Sequence, residues 1–269
     1  MTLRLLAPVL GLVCALSGGC ATELASEAPL KPATPTIGEE SANRVSARIH
    51  TELATAYYQV AGNDPTRMGI ALEEANQALK HDPNYGPAYN VAGLVYAALK
   101  QDSHAEESFR RALTINPMDS LANNNYGLFL CERGREEEGI RYFMAAVHNP
   151  LYATPDRAYV NAGICARRAG HTASAQDYFR QALQVRPNQP QALYNLAELG
   201  YEGHDYRAAK NRMDVLMRVA KPNAAALWLA LRIERKLGDS ASAASYAQQL
   251  RKNFPDSKEA RALGAGQFE

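Results

Sequence analysis

The chain has 269 residues, 46% of them hydrophobic, and sets 29 Lys and Arg against 28 Asp and Glu for a net charge of +1. Such a balance lacks the basic excess of a nucleic-acid-binding protein, and no apolar run reaches the roughly 20 residues that a membrane-spanning helix needs. The six histidines are scattered, and no HExxH, CxxC, GxSxG or phosphate-binding glycine loop occurs. No enzyme activity, metal, cofactor or small-molecule substrate is therefore expected.

Residues 1–19 read as a lipoprotein signal peptide. Arg4 gives a positive start, Leu5 to Leu16 is apolar apart from Pro8 and Gly11, and Ser17-Gly18-Gly19 lead into Cys20. This is the three-part form of a secretory signal. Small residues before a cysteine also mark a bacterial lipobox, with Cys20 as the lipidated first residue of the mature chain. Ser17 stands where a lipobox usually has leucine, and Leu16 lies one step further out. The alternative is an ordinary signal beside a chance cysteine. Ala21 comes next, rather than the aspartate that retains lipoproteins at the inner membrane, so an outer-membrane anchor facing the periplasm is expected. Residues 20–40 are rich in Ala, Pro, Thr and Glu and hold few large apolar side chains. They cannot bury enough surface to offset ordering entropy, and a lipidated, disordered tether is expected.

The region 41–269 repeats itself with a period of 34 residues. In a unit beginning at Gly86, positions 8, 11, 20, 24, 27 and 32 are Gly93, Tyr96, Ala105, Phe109, Ala112 and Pro117. The next unit repeats four of them as Gly127, Gly139, Phe143 and Ala146, and the one after, two linker residues later, supplies Gly163, Ala175, Phe179, Ala182 and Pro187. Weaker units follow with Ala197, Ala209 and Met213, then Ala243, Leu250 and Pro255. A first unit carries Ala54, Tyr57, Ala71, Ala75, Ala78 and Pro83, with five extra residues near 61–65. This is the tetratricopeptide pattern. Small residues let two antiparallel helices approach, large ones fill the gaps, and proline ends the second helix because it cannot extend the hydrogen-bond ladder. The predicted fold is all-α, a right-handed superhelical solenoid of six tetratricopeptide repeats over about 47–255. A short polar capping helix is expected from Asp256 to Leu263.

In such a solenoid, positions 2, 5, 9 and 12 of each first helix point into a concave groove. They include Asn90 and Leu94 in the second unit, Leu121, Asn124, Leu128 and Cys131 in the third, Val160, Ile164 and Arg167 in the fourth, and Tyr194 in the fifth. Asn125, Asn161 and Asn195 recur at position 6. Asparagine both donates and accepts, which suits a bound peptide backbone; the alternative is that these residues only cap or bridge neighbouring repeats. Leu94, Leu128 and Ile164 form an apolar stripe suited to a partner helix, unless position 9 is half-buried between repeats. Glu136 to Glu138 open a second helix, where negative charge complements the dipole.

Two segments are more specific than the repeat. NNNYGLFLCERGR and NPLYATPDRAYVNAGICARRAG closely resemble the type IV pilus biogenesis and stability lipoproteins, the outer-membrane pilotins of the pilus secretin. The resemblance implies six repeats on a lipid anchor, with the secretin subunit as protein partner and its localisation and multimerisation as the task. With that partner, the groove positions Asn90, Leu94, Asn124, Asn125, Leu128, Val160, Asn161, Ile164, Arg167 and Tyr194 are expected to form the partner-binding surface. Another outer-membrane tetratricopeptide lipoprotein, scaffolding cell-wall hydrolases or envelope assembly, is the alternative, and an enzyme accessory subunit is a third. With Cys14 cleaved away and Cys20 lipidated, Cys131 and Cys165 remain as an even pair in an oxidising compartment. They fall on adjacent first helices, and a disulfide is expected; otherwise Cys165 is merely a small residue at a crowded position.

Overall fold

The computed structural model describes residues 40–268, so Cys20 and the tether lie outside the described residues. Thirteen α-helices and no strands occur among them. Twelve form six antiparallel pairs: α1 (Ala42–Ala61) with α2 (Pro65–His81), α3 (Gly86–Ala98) with α4 (Asp102–Ile115), and α5 (Ser120–Glu132) with α6 (Glu136–His148). Then come α7 (Pro155–Arg168) with α8 (Thr172–Val185), α9 (Pro190–Glu202) with α10 (Tyr206–Val219), and α11 (Ala224–Leu237) with α12 (Ser240–Asn253), before a short α13 (Lys258–Gly264). Each pair packs within itself and against the next, the arrangement of a tetratricopeptide solenoid.

Local chemistry sets the helix starts. Ser41 Oγ accepts from the Arg44 N–H at the start of α1, and one Asp119 oxygen accepts from both Leu121 and Ala122 N–H groups at the start of α5. Prolines sit in the first turns of α2, α3, α7 and α9, where a missing N–H costs nothing. The Ser41 cap lets α1 begin at Ala42, ahead of the expected start near 47. The five extra residues near 61–65 do not make a long loop: α1 runs past its register end and α2 starts before its register beginning.

Contact between the two helices of a pair is closest at position 8. A methyl placed on Gly93 would stand 2.7 Å from the Phe109 ring, and one on Gly163 would stand 2.6 Å from the Phe179 ring. In the third pair the contact is with backbone. A methyl on Gly127 would meet the Gly139 carbonyl oxygen at 2.8 Å and Phe143 at 2.9 Å, and one on Gly139 would meet the Gly127 oxygen at 2.6 Å. Phe109, Phe143 and Phe179 are themselves fully buried, so position 24 fills the space that position 8 leaves.

The two ends of the stack differ. In the third and fourth repeats, positions 3, 7 and 11 of the first helix (Ala122, Tyr126 and Leu130, then Ala158, Ala162 and Ala166) are buried under the preceding repeat. In α1 the same positions are Ile49, Leu53 and Tyr57, and they are exposed, because no helix precedes α1 among the described residues. At the other end α13 is less polar than its sequence suggests. Its Leu263 is buried with Leu227, Leu231 and Leu250, closing the last pair.

The glycine geometry gives a signed expectation. Gly127→Ala gains about 1 kcal/mol of helix propensity but drives a methyl into a backbone carbonyl that has no rotamer to escape with, an overpacking cost of about 1–3 kcal/mol. Overpacking wins, and a thermal melt of the purified domain should show a lower Tm than the unchanged chain. An equal or higher Tm would mean that α5 and α6 separate freely.

Candidate functional site

The three consecutive asparagines of α5 reach three different neighbours. Asn123 is buried, and its amide donates to the Pro117 and Asp119 carbonyls, both at 2.9 Å, pinning the turn before the helix. Asn125 Nδ2 donates to Asn90 Oδ1 in the second repeat at 3.1 Å. Asn161 Nδ2 in the fourth repeat donates to Asn124 Oδ1 at 3.0 Å, and Asn124 Nδ2 lies 3.5 Å from Asn125 Oδ1. A single line of amides thus runs from α3 through α5 to α7. In the fifth repeat Asn195 turns inward on its own helix, donating to the Gln191 carbonyl at 2.7 Å, and the line stops. Asn90, Asn124, Asn125 and Asn161 therefore bridge neighbouring repeats, while Asn123 and Asn195 bond within their own.

The expected apolar stripe divides. Leu94 is half-buried against Phe109, Tyr126 and Phe129, and Ile164 against the fourth-repeat core, whereas Leu128 is 39% exposed. Leu121, two turns before Leu128 on the same face of α5, is 60% exposed. Val160 is not on the groove surface: it is 4% exposed and packs with Ala166, Phe179 and Leu196, so it belongs to the core. Arg167 is not free for a ligand either. It pairs with Glu198 and Glu202 of the fifth repeat. Tyr194 joins the same group, its hydroxyl donating to Glu198 at 3.2 Å. Burial, and then the Glu198 charge, push the Tyr194 hydroxyl up to about 12, so it stays a neutral donor.

Other polar contacts link the second and third repeats. Arg133 holds Asp102 with two bonds of 2.7 and 2.8 Å and lies 5.0 Å from the Phe129 ring centroid. Its hydrogen bonds keep the Asp102 carboxyl below the usual range. Glu106 accepts from Arg135 at 3.0 Å and from the Tyr126 hydroxyl at 3.1 Å. Burial raises its carboxyl, but those donors outweigh burial and hold it below normal.

Cys131 and Cys165, on α5 and α7, are buried with Phe143, Ala146, Ala158 and Ala162. Their Cα atoms stand 5.8 Å apart and their sulfurs 2.21 Å apart. The Cα separation lies within the range a disulfide between the third and fourth repeats requires, at the junction where the linker from Asn149 to Thr154 is longest. Among the described residues no three His, Cys, Asp or Glu side chains converge as a metal site, and no helix is long and apolar enough to cross a membrane.

Comparisons with known proteins agree on architecture and kinship. Tetratricopeptide repeat models match residues 86–118, 166–233 and 224–257. The type IV pilus assembly protein PilF of Pseudomonas aeruginosa is 28% identical over 210 residues, covering 78% of this chain and 81% of that protein. A solved structure of the same PilF superposes with a TM-score of 0.74 at 27% identity, over 84% of this chain and all of that one. The structure of PilW, a widely conserved type IV pilus biogenesis factor, superposes with a TM-score of 0.70 at 34% identity, over 81% of this chain and 97% of that one.

The cysteine pair can be tested directly. In protein lacking residues 1–20, labelled under denaturing conditions without reductant, no reactive thiol per chain is expected, and two after reduction. Closing a loop of 34 residues stabilises by up to about 4 kcal/mol in the chain-entropy model, so reductant should also lower the Tm. Two reactive thiols before reduction would show that the sulfurs are not bonded.

Proposed function

The chain belongs to the tetratricopeptide-repeat family of type IV pilus biogenesis factors, and from that premise we propose that it is a pilotin: a lipid-anchored adaptor that binds the pilus secretin and promotes its outer-membrane localisation and multimerisation. The observation that carries the site is the face of α5. Leu121 and Leu128 stand exposed two turns apart, with the Asn124 amide between them. Exposed apolar side chains at this spacing suit the face of an amphipathic helix, and a few such contacts dominate interface energy. Each asparagine has two N–H donors and two acceptor lone pairs. Asn124, Asn125 and Asn161, all partly exposed, therefore retain capacity for a ligand while joined in their line, and Asn90, buried at 7% exposure, anchors that line from the second repeat. Leu94 and Ile164 form the half-buried floor, and Tyr194 and Arg167 the polar margin.

The mechanism is one of capture and concentration. The groove holds a secretin segment while acyl chains on Cys20 hold the adaptor at the periplasmic face of the outer membrane. One acyl chain binds a bilayer only marginally, and two or more make attachment lasting. Subunits confined to a membrane surface meet at high effective concentration, which favours ring assembly.

Both halves have separate tests. Leu128→Asp should weaken secretin capture at least about tenfold, or 1.4 kcal/mol, with loss of secretin multimers, while Glu107→Lys on the exposed side of α4 should change neither. Binding and multimers unaffected by Leu128→Asp would place the secretin on another face; recovery of a cell-wall hydrolase instead of a secretin would replace the partner. Cys20→Ala should move the protein from the outer-membrane fraction to the soluble periplasm. Continued fractionation with the membrane would show that lipid on Cys20 is not what holds it.

A further inference from the structure

The groove positions of the sixth repeat are already engaged by the chain itself. Positions 5, 9 and 12 of α11 are Trp228, Arg232 and Arg235. After α13 the backbone reverses at Gly266, whose φ of +68° suits glycine. The Gly266 N–H donates to the Leu263 carbonyl at 3.2 Å and the Gln267 N–H to the Ala262 carbonyl at 3.0 Å, the two bonds of a Schellman end. This turn returns Phe268 to α11. There its ring stacks on Trp228, centroids 5.7 Å apart, and the Arg235 guanidinium lies 3.4 Å from its centroid. Arg232 Nε donates to the Phe268 carbonyl oxygen at 2.9 Å, and the same guanidinium lies over Tyr201 at 4.3 Å.

These contacts are those of a bound peptide. A ring sits between an aromatic platform and a cation, a geometry favourable on both faces, and a main-chain carbonyl accepts from a side-chain donor. A cavity of about 800 Å³ remains open beside it, lined by Tyr201, Arg232, Arg235 and Lys236. None of those three cations forms an ion pair with a described carboxylate. Positive charge around an open cavity, paired with no carboxylate among the described residues, favours an anionic group beside the ring.

We propose that this groove is a peptide-binding site for an extended segment carrying an aromatic side chain beside a carboxylate, and that Gln267–Phe268 occupy it in cis as a built-in competitor. A tethered competitor acts at an effective concentration on the millimolar scale, so weak ligands are excluded and only a better-fitting segment displaces it. The site is separate from the α5 face and does not depend on the identity of the partner proposed there.

Trp228 is the sole tryptophan of the chain, so its emission reports on the site. A labelled peptide GAGQFE is titrated into the full chain, into Phe268→Ala and Phe268→Leu, and into Phe268→Ala with Arg235→Ala. Emptying the site raises the fraction of competent molecules and tightens apparent affinity in proportion. Both Phe268 variants should therefore bind at least about tenfold more tightly than the unchanged chain, with a shift in Trp228 emission. Adding Arg235→Ala should remove that gain, and the peptide GAGQAE should bind at least about tenfold more weakly than GAGQFE. If the folded Phe268 variants bind GAGQFE no better than the unchanged chain, Phe268 is a structural plug and the proposal is wrong. Equal binding of GAGQFE and GAGQAE would also overturn it, since the site would then read charge alone.

Discussion

The structure depends on how closely two helices approach at position 8 of each repeat. Where that position is glycine, the partner helix presents a buried phenylalanine, or in the third repeat another glycine, with no room for a methyl between them. This separation sets the advance from one repeat to the next. Because the advance is regular, residues about one period apart come within bonding reach: Asn90 and Asn125 are 35 residues apart, Asn124 and Asn161 37, Cys131 and Cys165 34. The steric rule inside a repeat is thus also the positional rule between repeats.

A solenoid has no contacts between distant parts of the chain, so its cohesion is the sum of its junctions. From the second repeat onward each junction adds polar contacts to the apolar stack. The second and third repeats share Asn90–Asn125 and the Arg133–Asp102 and Arg135–Glu106 pairs. The third and fourth share Asn124–Asn161 and the cysteines. Arg167–Glu198 joins the fourth to the fifth, with Gln189 donating to the buried Asp156 at 3.2 Å, and Lys210–Glu234 joins the fifth to the sixth. Exposed ion pairs contribute little individually. The buried ones weigh more through what their loss would leave uncompensated.

The repeat was legible in the sequence because its signal is steric: Gly93, Gly127 and Gly163 recur where nothing larger fits, and the prolines recur where a helix must stop. The face of each helix was less legible. Val160 sits at a nominal groove position but rotates into the core, and Arg167, also at one, is taken by two glutamates of the next repeat. Which amide pairs with which depends on the advance between helices, a length the spelling of the repeat does not contain. Leu121 carried the right period and was visible as a groove residue, but its high exposure appears only once its neighbours are placed. The Phe268 contact had a faint signal: continuing positions 5, 9 and 12 into the sixth unit would have found Trp228, Arg232 and Arg235. The return of the chain onto them is set by the turn at Gly266.

The mutual contact of Gly127 and Gly139 has a consequence for how this sequence can drift. Each backbone oxygen fills the place where the other residue's side chain would go. A first methyl at either site must push α5 and α6 apart, and once they are apart a second methyl meets less resistance. Substitutions at contacting sites are coupled in this way and their costs do not add. Alanine at both positions is therefore less unfit than the two single steps imply, and the single-alanine intermediate is the barrier between two viable sequences. Neutral exchange at either site alone is closed while the helices keep this spacing, so the two positions are inherited as one character.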